Sequence, residues 1–241
     1  MPDTDVIEVK VNIAGDVAHA LTLLGLVDGK HREIWFLDDL TDGARPPLPL
    51  LSAGVIFRLR RRDNGKGDST VKLRPCRRSQ LVPPWDVVPA GAGDYRIEGD
   101  WCGRRHVVAA SAVADLERDT IARALANTAH IADAFTAAQR DFLGACADIT
   151  VALGGLNAIG PIASTQWKDF SLGGVPDVVA ERWTVRGLDY LELSIRVTSG
   201  TRDAVEQQRA FEDEVLVRGL TFDDSEEPKT TRVLKRLAGL D

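Results

Sequence analysis

The stretch VIFRLRRR, Val55 to Arg62, followed after Asp63-Asn64-Gly65-Lys66-Gly67 by STVKLR, Ser69 to Arg74, decides how the chain folds. Successive side chains of a strand point to opposite faces. Arg58, Arg60 and Arg62 therefore share one face, with Phe57 and Leu59 on the other. Across the turn, Thr70, Lys72 and Arg74 oppose Val71 and Leu73. The intervening Asp-Asn-Gly-Lys-Gly has the residues that tight hairpin turns demand. Two neighbouring strands are thus apolar on one side and cationic or polar on the other.

The pattern repeats outward. In VIEVKVNI, Val6 to Ile13, the residues Ile7, Val9, Val11 and Ile13 alternate with Glu8, Lys10 and Asn12. Arg96, Glu98 and Asp100 oppose Tyr95 and Ile97, and Glu192, Ser194 and Arg196 oppose Leu191, Leu193, Ile195 and Val197. Further strands are predicted over 33–39, 106–110 and 178–185. Between 115 and 153 the apolar residues Ile121, Leu125, Ala132, Phe135, Phe142, Cys146 and Ile149 recur at helical spacing without proline, which predicts two helices closed by Gly154-Gly155 and Gly160-Pro161. Helices are also predicted over 201–218 and 228–237.

The formal net charge of −6 hides an asymmetry. From Arg58 to Arg78, nine basic residues face Asp63 and Asp68, so this segment is +7 and the rest of the chain −13. A local cationic patch on an acidic chain points to a small-anion site. A nucleic-acid partner is not expected, since such binders carry a broad basic surface and a high pI. No run approaches the ~18 apolar residues of a membrane span, and the acidic N-terminus predicts no secretory signal. Cys76, Cys102 and Cys146 form no CxxC pair, and the histidines at 19, 31, 106 and 130 have no zinc spacing. The expected address is the cytoplasm, with reduced thiols.

Two architectures accommodate charged strand faces. An open antiparallel sheet would turn them to water, as an interaction domain does. Alternatively the helices cover the apolar faces, and the charged faces close around a lumen that about eight strands make wide enough for one small ligand. The second accounts for the charge pattern. It defines the expected fold: α+β, an antiparallel β-barrel with helices packed on the outside.

The order of motifs resembles the CYTH family, the triphosphate tunnel metalloenzymes, which includes thiamine triphosphatases, inorganic tripolyphosphatases and class IV adenylate cyclases. That family opens on ExExK. Glu8-Val9-Lys10 is similar to its second half, while Val6 stands at the first acid. Trp35-Phe36-Leu37-Asp38, Arg58-Leu59-Arg60 and Lys72-Leu73-Arg74-Pro75 resemble the next motifs in order. Glu181-Arg182-Trp183 and Glu192-Leu193-Ser194 resemble the later arginine and ExE strands, with Ser194 at the second acid. Lys229 with Leu234 is similar to the closing segment.

The resemblance implies one CYTH-like domain over 1–241 with a helical insertion at about 115–153, from a bacterial source. It implies that Lys10, Arg58, Arg60, Lys72, Arg74, Arg182 and Lys229 bind phosphates, and that Glu8, Glu98 and Glu192 hold Mg²⁺ or Mn²⁺. The implied reaction is metal-dependent hydrolysis of a triphosphate or short polyphosphate, with no residue singled out as catalyst. The alternative is a non-catalytic polyphosphate- or nucleotide-binding protein. A homodimer is left open. Val6 and Ser194 remove two carboxylates, so metal affinity is expected to fall, the second metal going first. Arg61, Arg77 and Arg78 read as solvated charges, Trp35, Trp101 and Trp183 as packing, and His106 and His130 as structural. Gly154-Gly155 and Gly173-Gly174 lack a following GK[ST] and form no phosphate loop.

Overall fold

Strand pairing follows the alternation read above. The computed structural model describes residues 6–41, 46–88, 94–198, 201–223, 225 and 227–240. The chain runs β1 (Ile7–Ile13), α1 (Val17–Leu24), β2 (Lys30–Asp38), α2 (Pro49–Ser52), β3 (Val55–Arg62) and β4 (Gly67–Leu73). It continues as β5 (Tyr95–Cys102), β6 (Arg105–Leu116), α3 (Thr120–Ala126) and α4 (Ala137–Cys146). It ends as β7 (Asn157–Leu172), β8 (Val175–Val185), β9 (Leu188–Val197), α5 (Thr201–Val217) and α6 (Lys229–Leu237). The strands form a closed barrel in the order β1-β5-β6-β4-β3-β2-β7-β8-β9, with β9 returning to β1.

The barrel is mixed rather than wholly antiparallel. β1 pairs antiparallel with β9 but parallel with β5, from Ile7 opposite Gly99 to Lys10 opposite Cys102. Parallel neighbours need a long crossover connection, and here the segment from α1 to β4 supplies it.

The chain divides into two compact units, residues 1–32, 98–107 and 162–233, and residues 33–97, 108–161 and 234–241. In the first, the apolar residues of β1, β8 and β9 (Ile7, Val9, Val11, Val178, Ala180, Leu191, Leu193, Ile195) pack with Val17 and Ala20 of α1 and with Ala204, Phe211 and Val215 of α5. In the second, Phe57 and Leu59 of β3 and Val71 and Leu73 of β4 pack with Ile121 and Ala124 of α3 and with Phe142 and Leu143 of α4. Phe57 and Phe135 meet edge to face, with ring centroids 5.1 Å apart. In each unit the helices cover the apolar strand face, and in a closed barrel the opposite face lines the interior.

Local chemistry explains where the elements depart from the sequence reading. The sequence reading predicts no helix over 17–24, yet Asp16 caps α1 by accepting from Ala18 N at 2.8 Å and His19 N at 3.2 Å, and Gly25 closes it in the left-handed region. The 115–153 segment holds the two expected helices, α3 and α4, with a 3₁₀ turn over 128–134 between them. The Asn127 side chain accepts from Ala129 N at 3.0 Å at the break. β7 passes through Gly160-Pro161, which had been read as a terminator. Gly160 has φ 151°, and a Cβ there would lie 2.7 Å from Ile34 O, so glycine permits the close approach of β2. Among the described residues, no helix is long and apolar enough to cross a membrane.

Gln139 of α4 is buried. Its amide donates to Ser69 O of β4 and Ala112 O of β6, both at 3.1 Å, tying the helix to two strands. Gln139→Ala leaves buried carbonyls unpaired and is expected to lower unfolding stability by about 1–3 kcal/mol in urea titration. Burial pushes the Cys76 thiol up to about 11, with Cys146 alongside, and raises the Cys102 and Cys146 thiols too. Alkylation of the native protein by iodoacetamide at neutral pH is therefore expected to be slow at all three, and fast only after unfolding.

Candidate functional site

The faces turned away from the helices carry the charge. In the first unit, Lys10 is 8% exposed, Glu98 5% and Asp100 1%. A solvated outer sheet would leave such side chains in water, so these values exclude that arrangement for this face. Lys10 Nζ donates to Asp100 Oδ2 at 3.0 Å and lies 2.8 Å from Glu8 Oε2. Asp100 also faces Arg105 Nη1 at 3.7 Å, and Glu98 Oε2 accepts from Arg196 at 3.2 Å. At the far side of β9, Lys229 Nζ of α6 lies 3.2 Å from Glu192 Oε1 and 4.1 Å from the Trp183 ring centroid. Glu181 sits directly across from Glu192 and accepts from Ser164 at 2.8 Å.

In the second unit, Arg58, Arg60, Lys72 and Arg74 share the face opposite Phe57, Leu59, Val71 and Leu73, and each is half-buried. Arg58 Nη2 donates to Thr70 Oγ1 at 3.1 Å. Arg60 Nε donates to Asp68 Oδ2 at 2.9 Å, and Arg62 reaches the same oxygen at 3.2 Å. Asp68 is 1% exposed, and its second oxygen, Oδ1, makes no hydrogen bond. Asp38, the acid of the aromatic-Asp motif, instead accepts from the Leu50 and Leu51 backbone N–H groups, each at 3.0 Å, holding α2. Burial raises its carboxyl above the ordinary range despite those donors.

Alternation separates the sequence-named residues. Lys10, Glu8, Glu98, Glu192 and Lys229 come together in paired contacts in the first unit. Arg58, Arg60, Lys72 and Arg74 share one face in the second. Arg182 does not join them. It shares the helix-covered face of β8 with Val178 and Ala180, and forks onto Asp189 with Nε–Oδ1 2.8 Å and Nη2–Oδ2 2.7 Å. The residue of that motif on the inner face is Glu181. The sequence VVAERWTV is ambiguous about its faces, so alternation alone does not say whether Glu181 or Arg182 points inward. Asp68, Asp100, Arg105 and Arg196 were not named as site residues. β4 starts at Gly67, two residues before the expected strand over Ser69 to Arg74, and alternation back from Lys72 places Asp68 inside. Arg61 pairs with Glu33 and lies 5.2 Å from the Trp35 centroid on the opposite face.

This barrel recurs in solved structures. A candidate adenylyl cyclase from Hippeastrum, described as having a dominant triphosphatase activity, matches with TM-score 0.62 at 13% identity over 95% of this chain and 94% of its own. A candidate adenylate cyclase from Bacillus halodurans matches with TM-score 0.60 at 14% identity over 96% of this chain and 98% of its own. The fold is CYTH-like. No protein-family model matches the chain, and no curated protein does.

A CYTH-like barrel raises the question of Mg²⁺ or Mn²⁺. Such ions take oxygen ligands in near-octahedral geometry. Among the described residues, no three Asp, Glu, His or Cys side chains gather to hold a metal. The carboxylates of Glu8, Glu98, Asp100 and Glu192 already face the chain's own cations, and Val6 and Ser194 supply no acid. This donor set does not fit a resident divalent ion.

The pairs differ sharply in worth. Asp100→Ala removes a buried partner of Lys10 and is expected to cost about 3–5 kcal/mol in denaturant titration. Arg182→Ala breaks a half-exposed pair and is expected to cost no more than about 1 kcal/mol by the same measurement.

Proposed function

We propose that the chain works as a single domain whose barrel binds a triphosphate or short polyphosphate, with Arg58, Arg60, Lys72 and Arg74 as the anion-gripping set. One observation carries this reading: four cations lie half-buried on the strand face opposite the helix-packed core. Guanidinium forks match phosphate oxygens in pairs, while a lysine adds a compact point charge. Cations held near one another repel, and a multiply charged anion relieves that repulsion. Asp68 already balances part of the Arg60 and Arg62 charge.

Metal-dependent hydrolysis of the phosphoanhydride bond is the finer reading that the resemblance implies. The triphosphatase activity described for the Hippeastrum protein, which has this fold, supports it. The paired carboxylates of the first unit weigh against it, and no step is derived through a metal. Fixed cations alone favour the charge that builds on transferring phosphoryl oxygens. A slow turnover is therefore compatible with the same grip.

Calorimetric titration with tripolyphosphate, run beside a phosphate-release assay, tests the reading. Binding is expected to weaken at least about tenfold in Arg58→Ala and in Lys72→Ala, a loss of about 1.4 kcal/mol or more each. Arg77→Ala, an exposed residue paired with Asp148, is expected to change nothing. Raising the salt concentration is expected to weaken the wild-type affinity. Affinity equal in wild type and Arg58→Ala would remove the proposed grip. Phosphate release that tracks the same substitutions would extend the reading to catalysis.

A further inference from the structure

We propose that Lys10 stands where a divalent cation would act on the acidic strands of this barrel, and that the barrel takes its anion without a metal. The inference rests on the anion-binding reading above. Four inner-face carboxylates of the first unit, Glu8, Glu98, Asp100 and Glu192, are met by four cations, Lys10, Arg105, Arg196 and Lys229. Glu181, the fifth acid on these strands, takes the Ser164 hydroxyl. A divalent cation binds where carboxylate charge exceeds what the protein itself neutralises, and little such excess remains.

Register explains why Lys10 fills this place. On β1 it lies two residues from Glu8, on the same face. Glu8 stands opposite Asp100 on β5 and Arg196 on β9, while Lys10 stands opposite Ser194. The ammonium reaches back between Glu8 and Asp100 and binds both. At 8% exposure it has lost most of its water, so it depends on those oxygens, and a metal that claimed them would strand a buried charge. The two positions that could add acid beside it are Val6, on the Glu8 face, and Ser194, opposite Lys10. Neither carries charge, so the ammonium has no surplus carboxylate to leave for a metal.

Two measurements on the full chain test this. The first titrates Mn²⁺ alone into the protein and reads the free ion by electron paramagnetic resonance. Wild type is expected to leave the free-ion signal unchanged at millimolar Mn²⁺, whereas Lys10→Gln is expected to take up the ion. Val6→Glu, which adds an acid at a partly exposed position and keeps the Lys10 pairs, is expected to do so as well and serves if Lys10→Gln does not fold. Uptake by wild type, or refusal by both variants, would overturn the proposal. The second is calorimetry of tripolyphosphate binding with EDTA and again with saturating Mg²⁺. Dissociation constants are expected to agree within about threefold, less than 1 kcal/mol. Binding seen with Mg²⁺ and lost in EDTA would overturn the role of Lys10 and leave the anion-binding reading standing. Absence of binding in both conditions would overturn the anion-binding reading, while the Mn²⁺ titration still decides what Lys10 does.

Discussion

A strand has two faces, and in this chain helices take one of them. That allocation governs the rest. Once Phe57, Leu59, Val71 and Leu73 are committed to α3 and α4, and Val9, Leu193 and Ile195 to α1 and α5, the alternate residues have only the barrel interior. A charge placed there loses its water and must find a partner within reach. Burial of the apolar faces contributes most of the stability. Neutralisation of the other faces decides which ligands the protein can accept.

The two sets of charged strands solve this differently. On β1, β5 and β9 the chain supplies acid and base together, and Lys10, Glu8 and Asp100 satisfy one another at 2.8–3.0 Å. On β3 and β4 the cations outnumber the one buried acid, Asp68, whose Oδ2 serves both Arg60 and Arg62. In the first arrangement Glu8, Glu98, Asp100 and Glu192 each meet a cation of the chain. The phosphate grip proposed above draws on that second set, since guanidinium forks match phosphate oxygens. The fold is CYTH-like, as in the Hippeastrum and Bacillus halodurans structures.

Much of this is legible from two-residue alternation, because a one-residue slip would bury a run of arginines against Phe135 and Phe142. β1, β3, β4, β5 and β9 alternate cleanly, so their inner residues could be named before any coordinates. Where alternation is weak the signal fails: VVAERWTV gives no parity, and the structure places Glu181 opposite Glu192 and Arg182 on the helix-covered face. β7 was hidden by Gly160-Pro161, a pair that breaks most strands but here admits a close neighbour. α1 has only eight residues, too few for a periodic stripe, though Asp16 and Gly25 mark its ends. Asp68 precedes the expected strand at Ser69, and only the earlier start of β4 at Gly67 brings it onto the inner face. The mutual pairing of Lys10, Glu8 and Asp100 could not be read at all, since it depends on β1 meeting β5 in parallel from opposite sides of a long crossover.

The most direct test of inward-facing charge is thiol accessibility on β3 and β4, measured in a background lacking the three native cysteines. Thr70→Cys lies on the inner face beside Arg58, and Arg61→Cys lies on the opposite face. The account predicts that a charged methanethiosulfonate labels Thr70→Cys at a rate that tripolyphosphate suppresses strongly, and labels Arg61→Cys at a rate that tripolyphosphate leaves unchanged. Equal labelling of the two, indifferent to tripolyphosphate, would contradict it.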